Sequence, residues 1–262
     1  MLPDAAQTGM KLPLRAANAG VSPATACYPA VMTIRSHREG AVCTLTLDRP
    51  ERAHAYDRAM LDALDQEISA FGVNPPQVLV IRSTGEKAFC AGADLQEMKT
   101  SDPLAALDLR SQQVFTRLAR LPLVSIAAIQ GPAVAGGLEL ALACDLRVAG
   151  PRARFWLPET SLGIIPSAGG TTRLARLIGV ARAKEMILGG AEVDATAALA
   201  WGLVHRLAED PLSEAQRWAT QITKRDLLAQ HLAKQLLDAD ESAAGLGGER
   251  VAEALLYSRR SR

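Results

Sequence analysis

Two carboxylates in this chain stand where a folding polypeptide rarely places charge. Glu139 falls inside "GPAVAGGLELALACD" (131–145), among leucines and alanines, and Glu159 follows a proline and an aromatic pair in "RFWLPETSLG" (154–163). If both enter one desolvated cavity, burial and mutual repulsion push their pKa values apart, so that one holds a proton while the other stays ionised. That is a general acid beside a general base. Read alone, each residue fits equally well as a surface or helix-start acid favoured by the helix dipole.

Glycine-containing turns accompany these acids. "KAFCAGADL" (87–95), "GPAVAGGLEL" (131–140) and "IIPSAGGTTRL" (164–174) each read as a strand handing over to a helix. Amides at a helix start have no intrahelical acceptor, so such turns can hold an anion or a developing oxyanion. None matches the dinucleotide pattern GxGxxG or the phosphate loop GxxxxGK[ST], which disfavours nucleotide chemistry.

The elements that position these residues follow from periodicity. "VMTIRS" and "AVCTLTLD" flank "HREG" and read as a hairpin, and "VLVIRS" (78–83) and "VSIAAIQ" (124–130) read as buried strands. Between them, "DRAMLDALDQEISAF" (57–71) carries Met60, Leu61, Leu64, Ile68 and Phe71 at helical spacing behind the cap candidate Asp57. An amphipathic stretch over about 103–121 and the strand-like 145–150 continue a βαβ rhythm, that of helices on a largely parallel sheet. Helical patterns follow at 171–179, 181–190 and 194–202, then a strand at 203–208. The remainder from about 211 is helical in pattern, with a soft boundary near 210. Residues 1–30 lack a sustained apolar run and read as a disordered extension.

Composition narrows the function classes. The 262 residues are 48% hydrophobic, enough to bury a large core, and 29 Lys and Arg against 28 Asp and Glu give a net charge of +1. Such a balance offers no basic field for nucleic acid. Acids and arginines interrupt every apolar run short of a membrane span. The four cysteines (Cys27, Cys43, Cys90 and Cys144) show no CxxC spacing, and the histidines (His37, His54, His205 and His231) show no ligand spacing. We therefore expect no metal, a reducing cytoplasmic setting, and buried cysteines serving as small filler.

The segments "GEKAFCAGADLQEM" (85–98), "GPAVAGGLELALACDLRVA" (131–149) and "PETSLGIIPSAGGTTRL" (158–174), in that order and spacing, resemble the crotonase or enoyl-CoA hydratase/isomerase superfamily. The resemblance covers about residues 31–210. It implies an α/β fold, a crotonase-like ββα superhelix (spiral) core over 31–210 with a helical C-terminal segment at 211–262. It places the oxyanion hole at the backbone amides of Ala93 and Gly136, where glycine would allow the thioester close approach, and the two catalytic acids at Glu139 and Glu159. Glu139 would activate water and Glu159 would deliver the proton. Substrate and coenzyme A binding is implied for Ala53, Ala55, Lys87, Ala91, Asp94, Leu95, Gly137, Pro158 and Ser167. Within that set Lys87 would meet the phosphates and the backbone near Ala55 the adenine.

The expected partner is an acyl-CoA thioester, with coenzyme A part of the substrate rather than a separate cofactor, and the expected assembly is a trimer or dimer of trimers. His54, Gln96, Trp156 and Ser167 depart from the family pattern, and the chain ends early at "SRRSR". The expected reaction is syn hydration of a 2-enoyl-CoA. A double-bond isomerase or other enolate chemistry is the alternative within the scaffold. A non-catalytic CoA- or RNA-binding module using "TKRD" (223–226) and "SRRSR" is a further one, against which the near-zero charge argues.

Overall fold

The computed structural model describes residues 33–72, 74–100 and 109–238, together with a few positions between 248 and 256. The expectation for residues 1–30 lies outside the described residues, as does most of the tail beyond 238. An antiparallel hairpin, β1 (Ile34–Glu39) and β2 (Val42–Leu47), opens the fold as expected, but His37, Arg38 and Glu39 of "HREG" are paired in β1 and the turn itself is Gly40 and Ala41. Parallel strands β3 (Val78–Ser83), β4 (Val124–Ile129), β6 (Leu146–Ala149) and β9 (Arg206–Leu207) extend it into a six-stranded sheet ordered β1-β2-β3-β4-β6-β9. Of the expected strand 203–208, Arg206 and Leu207 form the register with β6, flanked by hydrogen bonds from the His205 amide to the Arg147 carbonyl at 2.9 Å and from the Ala208 amide to the Ala149 carbonyl at 3.0 Å.

Alternation along the central strands divides the core in two. Val78, Val80, Ile126, Ala128 and Val148 face Ala215, Ala219 and Ile222 of helix α8 (Pro211–Ile222). Their neighbours Leu79, Ile81, Ala127 and Ile129 point to the larger core on the opposite face. That face is covered by α1 (Arg58–Ala70), α3 (Arg110–Ala119) and α4 (Gly136–Leu142), while α2 (Leu95–Thr100) follows the first glycine turn. Asp57 caps α1 as expected, accepting from the Met60 amide at 2.9 Å.

A second, three-stranded sheet, β5 (Ala133–Val134), β7 (Arg154–Trp156) and β8 (Val193–Asp194), is not visible in the sequence pattern. Helices α5 (Gly170–Ile178), α6 (Val180–Ile187) and α7 (Ala195–Ala200) follow the three predicted patterns, and α9 (Leu227–Asp238) follows α8. Lys234 fastens α9 to the sheet, donating to the Leu123 carbonyl and pairing with Asp145, both at 2.9 Å. Among the described residues no helix is long and apolar enough to cross a membrane, and no cluster of His, Cys, Asp and Glu has the grouping of a metal site.

Candidate active site

Helix α4 is buried along its whole length, so Glu139 on its first turn is only 3% exposed. Its Oε1 accepts two backbone hydrogen bonds, from Ala168 at 2.8 Å and Gly170 at 2.7 Å. Both donors belong to the third glycine turn. Here the structure corrects the sequence reading: a short 3-10 turn (Glu159–Leu162), not a strand, precedes the segment 164–174. Gly170 is required at this spot, because a Cβ there would stand 2.8 Å from Oε1 and 2.7 Å from the Pro166 side chain. Burial raises the Glu139 pKa, whereas the two amides and the nearby Arg173 guanidinium favour the anion. Arg173 is itself held by the Ala168 carbonyl at 2.9 Å. At the other end of α4, the buried Arg147 donates to the carbonyls of Cys144 at 2.7 Å and Leu203 at 2.7 Å. A cation at a helix C-terminus complements the dipole and anchors the helix that carries Glu139.

Glu159 is delivered to the same place by the small sheet. Strand β5 leads into α4 and pairs in parallel with β7, Val134 opposite Trp156, and Glu159 begins the turn just beyond β7. Trp156 is half-buried and its carbonyl accepts from Ala135 at 3.0 Å, so its backbone ties β7 to the start of α4. Glu159 is 5% exposed, and its Oε2 has no hydrogen-bond partner among the described residues. Burial first, and then the charge of Glu139, push its pKa up to about 7. The two acids therefore share a desolvated site but differ in support: Glu139 is solvated by two amides, Glu159 by little. The first is better held as an anion and the second can carry a proton at neutral pH.

The segments that carry the two expected amide donors lie against one another. Tyr56 pairs with the first glycine turn through its amide to the Gly92 carbonyl and its carbonyl to the Asp94 amide, both at 2.8 Å. In this parallel bridge the Ala93 N–H is directed away from Tyr56. Gly136 begins α4, so its N–H has no intrahelical acceptor. The two segments touch, since a Cβ on Gly92 would stand 3.1 Å from the Gly136 nitrogen. Ala135, between them, adopts φ 51° and ψ −128°, a conformation alanine adopts only at a cost of order 1–3 kcal/mol. Two backbone amides without acceptors among the described residues, on touching segments, have the chemistry to receive one oxygen that gains negative charge. The structure gives a further reason for glycine at 136: the Cβ direction points at the Tyr56 ring, where an added methyl would stand 2.7 Å from Cζ and closer still to the hydroxyl. Gly137 is needed for packing, as its Cβ would lie 2.6 Å from the Cys90 carbonyl carbon.

The remaining candidates distribute around this centre. Ala53 and Ala55 lie in a tight turn against Ala91, whose amide donates to the Ala53 carbonyl at 3.1 Å. His54 holds that turn: it is buried at φ 57°, its Nδ1 accepts from the Arg49 amide at 3.1 Å, and its Nε2 donates to the Thr84 carbonyl at 2.9 Å. Burial lowers its pKa, keeping the neutral ring those bonds require. The Asp94 side chain is occupied by the Gln96 amide at 2.9 Å and by Arg49 at 3.0 Å, which hold its carboxyl below the usual range, and its own amide is taken by the Tyr56 carbonyl. Leu95 and Lys87 are exposed, and Gly131 lets the chain pass close to the Lys87 carbonyl. Pro158 and Ser167 are half-buried on the segments flanking Glu159 and Glu139. Gln112 of α3 donates to the Ser167 carbonyl at 2.7 Å. Cys43, Cys90 and Cys144 are free and buried.

Sequence reasoning did not single out Tyr56, Arg173, or the amides of Ala168 and Gly170. The last two lie 29 and 31 residues from the carboxylate they serve, and no local pattern announces them.

Comparison with known proteins places this geometry in a family. The family model described as enoyl-CoA hydratase/isomerase matches residues 37–260. The 2,3-dehydroadipyl-CoA hydratase of Escherichia coli is 37% identical over 230 residues, spanning 86% of this chain and 90% of that protein. The short-chain-enoyl-CoA hydratase of Clostridium acetobutylicum is 37% identical over 207 residues, or 77% and 79% of the two chains. Among solved structures, an enoyl-CoA hydratase from Bacillus anthracis superposes with a TM-score of 0.81 at 35% identity, covering 85% of this chain and 90% of that one. The expected crotonase-type α/β architecture is thus the fold found, and the chain belongs to the enoyl-CoA hydratase/isomerase family.

Proposed function

We propose that the protein adds water reversibly across the double bond of a 2-enoyl-CoA thioester, giving the 3-hydroxyacyl-CoA. The observation that carries this reading is the unequal pair of buried acids: Glu139 held by two amides, and Glu159 with its carboxyl pushed up to about 7. In this mechanism the thioester oxygen sits between the amides of Ala93 and Gly136. Glu139 takes a proton from a water whose oxygen forms the new bond at C3, and the electron pair of the double bond moves toward the carbonyl. Glu159 then gives its proton to C2, and the enolate charge collapses. The amide pair favours this enolate over the neutral carbonyl, and one such donor is worth about 3–4 kcal/mol in acyl-transfer precedents. Coenzyme A enters as part of the substrate, beside the turn of Ala53 and Ala55, and no separate cofactor has a role.

Mass spectrometry of the product tests the reaction class. With crotonyl-CoA we expect a gain of one water, and Glu139→Gln or Glu159→Gln to slow it by about 10²–10⁴, the usual worth of a positioned acid or base. A 3-enoyl-CoA converted to its 2-enoyl isomer without change of mass, with no hydration of crotonyl-CoA, would assign the site to isomerisation instead.

A further inference from the structure

Tyr56 touches both halves of the amide pair, through different atoms. Its backbone N–H and C=O flank Ala93, bonding Gly92 and Asp94 and fixing the plane from which the Ala93 amide projects. Its side chain runs to the start of α4, where the phenol occupies the space a Cβ at Gly136 would need. The ring is not free to move: it packs edge-on against Phe115 with centroids 5.6 Å apart, in a buried setting. Tyr56 is only 8% exposed, and both Glu139 and Glu159 are near enough to disfavour its ionisation, so a neutral phenol faces Gly136.

We propose that Tyr56 is a positioning residue of the oxyanion hole, clamping Ala93 by its backbone and Gly136 by its phenol so that the two amides keep one separation. This inference rests on the proposed role of those amides. The phenol acts as a stop: α4 can neither slide nor rotate toward the tyrosine without collision. Gly136 and Tyr56 thus form a matched pair, the missing side chain of one making room for the hydroxyl of the other. Ala135 stays in its strained conformation because its neighbour is held on the far side.

The decisive readout is the carbonyl stretch of bound butyryl-CoA labelled with ¹³C at the thioester carbon, a saturated probe that cannot be hydrated. In the parent protein the band should move to lower frequency on binding. Tyr56→Phe and Tyr56→Leu should lose at least half of that shift while binding the probe within twofold of the parent. With crotonyl-CoA, kcat should fall by about tenfold for Tyr56→Phe, a fraction of the loss on deleting a donor outright, with KM nearly unchanged. Gly136→Ala should be severely impaired, and adding Tyr56→Leu should recover about tenfold, as expected for residues in direct contact.

A full carbonyl shift and unchanged kcat in the Tyr56 variants would overturn the clamp while leaving the oxyanion hole intact. A parent protein that binds butyryl-CoA with no carbonyl shift would overturn the hole itself, and the clamp with it. Should Tyr56→Leu fail to fold by circular dichroism, Tyr56→Phe, which keeps the ring, decides the matter alone.

Discussion

Glu159 carries a pH dependence whose sign can be worked out. Its folded-state pKa of about 7 lies above the ordinary glutamate value, so the folded protein binds this proton more tightly than the unfolded chain does. The stability it contributes is complete below the unfolded pKa and lost as pH rises through about 7. Glu159→Gln cannot ionise, so its Tm relative to the parent should climb between pH 5 and pH 8, as a thermal melt series would show. A constant difference would mean that Glu159 is not a titrating buried acid. In the proposed mechanism the pair of acids carries one proton, on Glu159 for hydration and on Glu139 for dehydration, so kcat/KM in both directions should decline together above about pH 7. Both glutamates were legible in the sequence because an acid inside an apolar run is conspicuous. Tyr56 was not, because its meaning depends on Gly136, 80 positions further on.

At the scale of elements, α4 is held by close packing rather than by helix propensity. Replacing Gly137 by alanine would gain about 1 kcal/mol of intrinsic helicity. Its Cβ, however, would stand 2.6 Å from the Cys90 carbonyl carbon, backbone that cannot swing aside, and overpacking of this kind costs about 1–3 kcal/mol or more. The collision outweighs the gain. Gly137→Ala should therefore lower the urea midpoint and weaken hydration together; an unchanged midpoint would show that α4 can shift outward freely. The long helices and central strands were readable because each spans several periods of its pattern. Strands β5 and β8 have two residues each and β7 has three, too few for a period to show. Yet these three bring Glu159 to Glu139, so the sequence showed both acids and hid the device that joins them.

For the whole molecule, the parallel sheet supplies a rigid floor, and the site forms where the first glycine turn, α4 and the turn after β7 converge above it. Leu162, Ile165, Val180 and Leu188 remain more than half exposed on the segments after Glu159. Apolar side chains at this density on one stretch are commonly covered by another subunit. We propose assembly into a trimer or dimer of trimers, so light scattering should return three or six times the 27.8 kDa chain mass, and a monomer mass at micromolar concentration would contradict this. The most direct test of the whole account is the loss of conjugated thioester absorbance when crotonyl-CoA meets the parent protein, Glu139→Gln and Glu159→Gln at neutral pH. Rapid loss is expected with the parent and a fall of about 10²–10⁴ in each variant. Equal rates in all three proteins would remove both acids from the chemistry and contradict it.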